Sequence, residues 1–233
     1  MQRTYTLEEL ARFLNRQPKE LRKLAENDVL HGRKAQGSWT FALPDLVLWM
    51  EQEMTQVDAG KAAELENAVA SARESHEETE FSELLSESLV NLFFTAKTKS
   101  SVVSEIARIA ENAGMLWDAD TMTSALKERE EMASTAMEGG VAILHPRRPQ
   151  SDIIAQDFLV VAVSPNGVPF GGGRDNLTDV FFLLCCQSDA CYLRSLGRLA
   201  RIIKTDGVLD ALRQAETQAD VVELLSNTER ELN

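Results

Sequence analysis

The sequence is poor in the residues that build disulfide frameworks and metal centres. It has three cysteines, all within positions 185–191, and three histidines spread over 233 residues. An odd number of clustered cysteines argues against a disulfide framework, and their spacing, with no histidine beside them, matches no zinc site. We therefore expect reduced thiols at a strand end, no metal and no cofactor.

Long apolar segments are missing as well. No apolar run approaches the roughly 18 residues that a membrane-spanning helix needs. The opening residues, MQRTYTLEEL, lack the apolar core of a signal peptide. We expect a cytoplasmic protein with no membrane partner.

Charge is unevenly distributed along the chain, whose formal net charge is −13. Residues 1–50 contain eight Lys and Arg against six acids, which gives +2 for this part and −15 for the rest. A small basic part joined to an acidic body indicates two modules with different partners. We place the first module at 1–53, a helical connector at 54–80 and the second module at 81–233.

The first module has the signals of short helices and a hairpin. Thr6 followed by Glu9 is a capping box, and an apolar helical face comes after it. Pro18 suits the first turn of a second helix. The stretch from Gly32 to Phe41 has the pattern of a tight hairpin, and Pro44 is expected to start a third helix.

This order resembles the small winged helix-turn-helix of the excisionase and MerR type over about residues 4–52. The matching stretches are TLEELARFL, the Gly-Arg-Lys entry to the wing, a Trp-x-Phe step and a final Asp-Leu…Trp. In that family the second helix enters the major groove of DNA and the wing touches phosphate. Because few cations make few phosphate contacts, a monomer is expected to bind DNA weakly. The alternative is a helix-turn-helix that contacts another protein instead of DNA. The DNA-binding residues implied by the resemblance are Gln17, Lys19, Arg22, Lys23, Arg33 and Lys34.

The connector is rich in Ala and Glu and contains no proline. This composition predicts a helix over 60–73. Its thin apolar stripe fits either a solvated connector or a short coiled coil that would make the chain a homodimer.

From Phe81 onward, apolar strand patterns alternate with amphipathic helix patterns. Such alternation is typical of an α/β mixed sheet with helices on both faces, here preceded by the small winged helix-turn-helix domain. His145 falls at the end of a strand, where such sheets hold their sites. The predicted strands are 90–94, 141–145, 158–163 and 180–186, with a turn at 165–168, and the predicted helices are 100–113, 118–131 and 191–203, followed by two shorter acidic helices.

Residues 81–230 are similar to the phosphotransferase-system enzyme IIA domain of the fructose/mannitol type, which includes the nitrogen-regulatory branch. In that family a histidine accepts a phosphoryl group from the phosphohistidine of the carrier HPr, and an arginine at the preceding helix end helps to bind it. The resemblance places these roles on His145 and Arg129. The matching stretches, in the family's order, are ELLSESLV, AGMLWD, LKEREEMAST, EGGVAILHPRRP, NGVPFGG, TDVFFLLC and LRSLGRLARII.

The residue types fit this chemistry. A neutral imidazole is a nucleophile near pH 7, and an arginine can hold a phosphoryl group through two parallel hydrogen bonds. Ser134 and Thr135 offer hydroxyls, and Gly139-Gly140 would let backbone N–H groups approach the group. We expect Glu130 and Glu131 to be helix-end surface. The pair Arg147-Arg148 faces either phosphate or a partner.

Three positions depart from the family's pattern. Leu144 stands where the family has proline, Ala133 where it has glycine, and Tyr192 where it has a second histidine. A tyrosine can donate a hydrogen bond to phosphate, but it cannot be a cation.

The main hypothesis is a regulator that accepts a phosphoryl group from phospho-HPr on His145 and couples it to DNA binding, as in transcription regulation linked to the phosphotransferase system. One alternative is a phosphocarrier that passes phosphate to a IIB partner. The other is a non-catalytic interaction module. Whether the chain is an enzyme of the phosphohistidine-carrier type stays open on the sequence.

Overall fold

A computed structural model describes residues 4–14, 16–35, 37–42, 45–50, 80–171 and 177–232. The helix predicted over 60–73 and the module boundary at residue 53 lie outside the described residues. The same is true of Pro44, the expected first residue of the third helix.

The N-terminal part consists of a small antiparallel sheet and short helices. The sheet has the strand order β1-β3-β2, and the turn between β2 and β3 contains Gly37, whose φ is +82°. Thr6 caps α1 as predicted, since its Oγ1 accepts the Glu9 N–H at 3.2 Å and the Glu9 carboxylate accepts the Thr6 N–H at 2.8 Å. The elements are β1 (Thr4–Thr6), α1 (Leu7–Phe13), α2 (Pro18–Glu26), β2 (Arg33–Ala35), β3 (Ser38–Ala42) and the helical residues 45–50, here α3.

These elements close over a small apolar core. Leu10 of α1, Leu21 of α2 and Phe41 of β3 are fully buried, and Leu46 of α3 is 1% exposed. Strand β1 has only three residues, too few for a periodic sequence pattern to reveal it.

The second part is organised by a five-stranded mixed sheet of order β4-β7-β8-β6-β5. The central pair β7–β8 is antiparallel, whereas β6 runs parallel to β8 and β4 runs parallel to β7. The short β5 pairs with β6 as an antiparallel edge. The strands are β4 (Val90–Asn91), β5 (Ala136–Met137), β6 (Val141–Leu144), β7 (Phe158–Val168) and β8 (Thr178–Cys185).

Helices cover both faces of this sheet. Phe181, Leu183 and Cys185 of β8 belong to the apolar layer beneath α4 and α5. Phe182 and Leu184, which point to the other face, belong to the layer beneath α6, α7 and α8. The prediction of a mixed α/β sheet with helices on both faces is confirmed. The helices are α4 (Lys99–Asn112), α5 (Ala119–Met132), α6 (Asp189–Lys204), α7 (Val208–Gln214) and α8 (Gln218–Glu231).

Two element predictions need correction. The turn predicted at 165–168 is wrong, because β7 continues to Val168 through an irregularity of register after Val163, where Gly167 adopts a φ of +63°. The strand predicted at 90–94 ends at Asn91, and Phe93 is 76% exposed. The two helices after α6 are shorter than its 16 residues, as predicted, with 7 residues in α7 and 14 in α8. Within the described ranges, no helix combines the length and the apolar character that crossing a membrane requires.

Candidate functional site

His145 follows the last residue of β6 and is 3% exposed. Its Nδ1 lies 3.0 Å from the carbonyl oxygen of Ile143, and its Nε2 lies 2.9 Å from the Nε of Arg129. A carbonyl oxygen can only accept a hydrogen bond, and a guanidinium can only donate one. The Nδ1 of a neutral ring therefore carries the hydrogen, and Nε2 directs its lone pair at Arg129.

Arg129 reaches His145 from the last turn of α5 and is itself buried. Its Nη1 donates to the carbonyl oxygen of Ala133 at 2.9 Å, so the guanidinium is held at two points. Ala133 has a φ of −164°, which is extended backbone that any residue adopts. The alanine in place of the family's glycine is therefore accommodated without strain.

Tyr192 packs against His145 from the first turns of α6. The two ring centroids are 5.0 Å apart with an interplanar angle of 37°. Ser188 caps this helix, since its hydroxyl accepts the Cys191 N–H at 3.2 Å, and the cap fixes the turn that carries Tyr192. Leu144, in place of the family's proline, pairs with Leu183 and is buried in the layer beneath α4 and α5.

Ser134 and Thr135 do not direct their hydroxyls at His145. Both hydroxyls donate to the carboxylate of Glu130, at 2.9 Å and 2.6 Å, and the Thr135 N–H donates to it at 2.9 Å. Lys99, at the start of α4, lies 2.7 Å from the same carboxylate. The expectation that Glu130 is helix-end surface is wrong: it is 6% exposed and organises the loop that follows α5.

Sequence reasoning thus missed Glu130 and Lys99. A local signal was present, because Glu130 stands four and five residues before two adjacent hydroxyl residues, across the end of a helix. Nothing local indicated Lys99, which comes from the preceding helix. The neighbouring Glu131 is exposed, as expected.

Gly139 and Gly140 are not part of the site. They form the turn between β5 and β6 with φ values of +87° and +78°, and the carbonyl of Gly139 accepts from Arg213. His145 lies at the opposite end of β6, five residues after Gly140, and a strand advances about 3.3 Å per residue, so roughly 16 Å separates Gly140 from His145. The idea that these glycines present N–H groups to a phosphoryl group at His145 is therefore wrong.

The N-terminal part contacts the body beside this site. Val47 of α3 lines a small cavity together with Pro146, Arg147 and Tyr192. The core of the N-terminal part and the apolar layer beneath α6 also form one continuous cluster. A helix of the first module therefore lies within the surroundings of His145. Arg147 and Arg148 are both exposed.

The residues proposed to contact DNA are placed on the surface. They belong to α2, to the residue before it and to β2, away from the small apolar core. The exposed side chains are Gln17, Lys19, Arg22, Lys23, Arg33 and Lys34.

The three cysteines are free thiols, but they do not share one environment. Burial raises the pKa of Cys185, which lies in the layer beneath α4 and α5. A hydrogen bond between Cys186 and Cys191, together with burial, raises the pKa of Cys186, and the same hydrogen bond lowers the pKa of Cys191. Cys191 lies in α6 rather than at a strand end. The carboxylate of Asp157 completes a cluster with Cys186 and Cys191 that cysteine spacing alone did not reveal.

Comparison with known proteins gives the family. The family model of the phosphoenolpyruvate-dependent sugar phosphotransferase system, EIIA 2, matches residues 83–228. The fructose-specific EIIA component of Haloferax volcanii is 25% identical over 150 residues, which cover 64% of this chain and 96% of that protein. The fructose-specific EIIABC component of Bacillus subtilis is 22% identical over 150 residues, again 64% of this chain but only 23% of the relative. The multiphosphoryl transfer protein of Xanthomonas campestris is 28% identical over 138 residues, 59% of this chain and 16% of the relative.

Solved structures agree on the fold. The mannitol IIA of Escherichia coli superimposes with a TM-score of 0.54 at 19% identity, covering 60% of this chain and 98% of that one. The nitrogen regulatory protein IIA-Ntr of Neisseria meningitidis gives a TM-score of 0.55 at 20% identity, with 62% and 97% covered. The E. coli mannitol IIA in complex with phosphorylated enzyme IIB gives 0.54 at 18% identity, with 61% and 97% covered. The chain belongs, through residues 83–228, to the EIIA 2 family of the phosphoenolpyruvate-dependent sugar phosphotransferase system.

Proposed function

We propose that this chain is a phosphoryl carrier: His145 accepts a phosphoryl group from the phosphohistidine of HPr and passes it to a IIB component. The observation that carries the proposal is the hydrogen bond of 2.9 Å between Arg129 and the Nε2 lone pair of His145. It places the nucleophilic atom and the cation that would neutralise the transferred group side by side. A IIB partner is supported by the related E. coli mannitol IIA, whose structure was solved with phosphorylated IIB.

The tautomer of His145 determines which of its nitrogen atoms accepts the phosphoryl group. Nε2 attacks the phosphorus in line with the nitrogen–phosphorus bond of the donor, which breaks as the new bond forms. The donor imidazole leaves with the electron pair of the broken bond. The phosphorylated ring of His145 becomes cationic, and its Nδ1–H keeps donating to the Ile143 carbonyl. Arg129 gives up its hydrogen bond to Nε2 and donates instead to the oxygens of the phosphoryl group.

No metal step is needed in this mechanism. The charge that moves is carried by three phosphoryl oxygens, and a guanidinium fork matches such a group with two parallel hydrogen bonds. Because Arg129 is already held by the Ala133 carbonyl, little further ordering is required when the group arrives.

The test is intact-mass analysis after incubation with phosphoenolpyruvate, enzyme I and HPr. We expect a gain of one acid-labile phosphoryl group, lost in His145→Ala and kept in His31→Ala. His31 is a suitable control because it is an exposed histidine whose Nδ1 pairs with Asp28. Adding a IIB protein should then remove the group from this chain. Absence of the mass gain in the wild type, or its persistence in His145→Ala, would overturn the proposal.

A second function, regulation of DNA binding by phosphorylation, is supported by the position of Val47. This residue shares a small cavity with Tyr192 and Pro146, the neighbours of His145. The phosphoryl oxygens carry about −1.5 to −2 charge at pH 7, which the cationic ring offsets only in part, and the remaining negative charge is unfavourable beside an apolar contact. Phosphorylation would therefore weaken the contact between α3 and the body, and so alter the presentation of the basic surface of the first module.

This second function predicts salt-dependent binding to duplex DNA. The five cations proposed to contact DNA are Lys19, Arg22, Lys23, Arg33 and Lys34. If all of them contact phosphate, a plot of the logarithm of the affinity against the logarithm of the salt concentration should have a slope of about −4.5. Fluorescence anisotropy on a mixed-sequence duplex measures the slope. Lys23→Ala should reduce it by about one, whereas Lys97→Ala, an exposed lysine of the body, should leave it unchanged. Equal affinities for phosphorylated and unphosphorylated protein would refute the coupling, and salt-independent binding would refute the DNA contact itself.

A further inference from the structure

A cluster of two thiols and one carboxylate lies outside the His145–Arg129 pair. The ligand atoms of Asp157, Cys186 and Cys191 all lie within 4.8 Å of one another, and the Cys191 sulfur is 3.0 Å from the Oδ2 of Asp157. We propose that these three residues bind a divalent zinc ion. Tetrahedral zinc with bonds of about 2.3 Å to sulfur and about 2.1 Å to oxygen places neighbouring ligand atoms roughly 3.5–3.8 Å apart. The cluster already has nearly this size.

The sheet builds the site in advance. The antiparallel pairing of β7 and β8 sets Phe158 opposite Cys185, so Asp157 and Cys186, each one residue beyond, emerge next to each other at the same end of the sheet. The third ligand, Cys191, comes from the first turn of α6, which Ser188 caps. Three separate elements thus meet at one point without any short sequence motif.

Each ligand has a partner that orients it. The Asp157 Oδ1 accepts the Gln187 N–H at 2.6 Å, which leaves Oδ2 directed at Cys191. The Ser195 hydroxyl lies 3.9 Å from the Cys191 sulfur. Such outer contacts hold metal ligands in place in known sites.

Charge and burial favour a cation at this point. Cys186 and Cys191 are 4% and 5% exposed, so solvent screens the cluster poorly. The Cys191 thiol donates a hydrogen bond to the Oδ2 of Asp157 at 3.0 Å. A divalent ion bound at this point would replace the thiol hydrogen and interact with the sulfur and the carboxylate at the same time.

The donor set selects the metal. Two thiolates and one carboxylate suit zinc, whereas magnesium and calcium prefer oxygen ligands alone. Three protein ligands leave the fourth tetrahedral position for water, an arrangement typical of zinc sites that are open rather than closed. The site adjoins Tyr192 in sequence, so bound zinc would also tie down the turn that packs on His145.

Zinc binding is measured on the full chain, independently of phosphoryl transfer. The reduced, metal-free protein is titrated with zinc against a chromophoric chelator, and stoichiometry is read by native mass spectrometry. We expect one zinc per chain. Cys186→Ser, Cys191→Ser and Asp157→Asn should each weaken binding by more than about 100-fold, beyond the effect of an outer contact.

Cys185→Ala is the matched control. It removes the neighbouring cysteine, the last residue of β8, whose sulfur lies on the opposite face of the sheet, 4.0 Å from that of Met122. This variant should bind zinc as the wild type does. Cadmium titration adds a thiolate-to-metal absorption band that must disappear in Cys186→Ser and Cys191→Ser, while circular dichroism confirms that the variants fold. Less than a stoichiometric amount of bound zinc in the reduced wild type, or equal loss in Cys185→Ala, would overturn the proposal.

Discussion

Replacing Glu130 by alanine should lower the free energy of unfolding by about 3 kcal/mol. The Glu130 side chain is 4% exposed, and its carboxylate accepts hydrogen bonds from the Ser134 hydroxyl and from both the N–H and the hydroxyl of Thr135. It also pairs with Lys99, 2.7 Å away. Alanine would remove all four interactions at once.

The loss of stability depends on whether each partner of Glu130 can form another hydrogen bond or ion contact in the variant. The Thr135 N–H is buried and would lose its acceptor, which costs about 1–3 kcal/mol. Losing one member of a buried ion pair typically costs 3–5 kcal/mol, but the Lys99 side chain is 42% exposed and can return to water. The lower end of that range therefore applies.

Urea unfolding followed by circular dichroism measures the change by linear extrapolation. Glu131→Ala is the matched control, since Glu131 is the exposed neighbour and should change stability by less than about 0.5 kcal/mol. A loss in Glu130→Ala no larger than in this control would refute the view that Glu130 organises the loop after α5. Glu130→Gln should fall between the two, because an amide oxygen still accepts from Thr135.

Three further variants probe the site and a helix cap. Arg129→Lys keeps the charge but loses the fork, so the rate of His145 phosphorylation by phospho-HPr should fall about 100-fold in rapid-quench assays. Gly171→Ala places a Cβ 2.1 Å from the Ser134 hydroxyl oxygen, and urea unfolding should show a loss of about 1–3 kcal/mol. Asp220 accepts the Thr217 N–H at 2.8 Å, which lowers its pKa. Asp220→Ala should therefore destabilise the protein at pH 7. The difference should shrink as the pH falls below about 3.9, the ordinary Asp value, since protonation removes the same interaction from the wild type.

Capping and periodicity made the helices predictable from the sequence. Asp118, the first residue of the helix predicted at 118–131, is the N-cap of α5 and accepts the Thr121 N–H at 2.9 Å. The helix predicted at 191–203 begins two residues earlier, at Asp189, because Ser188 is its N-cap. Helix ends of this kind depend on hydrogen bonds between residues close in sequence, so they can be predicted from the sequence.

The contacts of the site depend on tertiary structure and were harder to predict. The polar sequence around Glu130 suggests a solvent-exposed helix end. In the structure, Lys99 and the loop after α5 enclose the Glu130 carboxylate. Sequence motifs for metal sites consist of ligands a few residues apart. Asp157 and Cys186 are distant in the sequence and meet only through strand pairing, so no such motif indicates them. The meeting of Arg129 with His145 was anticipated only through the family resemblance, since nothing in the spacing of 16 residues requires it.

The burial of β8 on both faces restricts how this protein can change its length. Successive residues of the strand belong alternately to two apolar layers, from Val180 to Leu184. Inserting or deleting one residue within the strand would turn every following side chain to the opposite face of the sheet, and so into the other apolar layer. It would also carry Cys186 away from Asp157. Substitutions that preserve volume can accumulate in this strand, but changes of length have to fall before Thr178 or after Cys191.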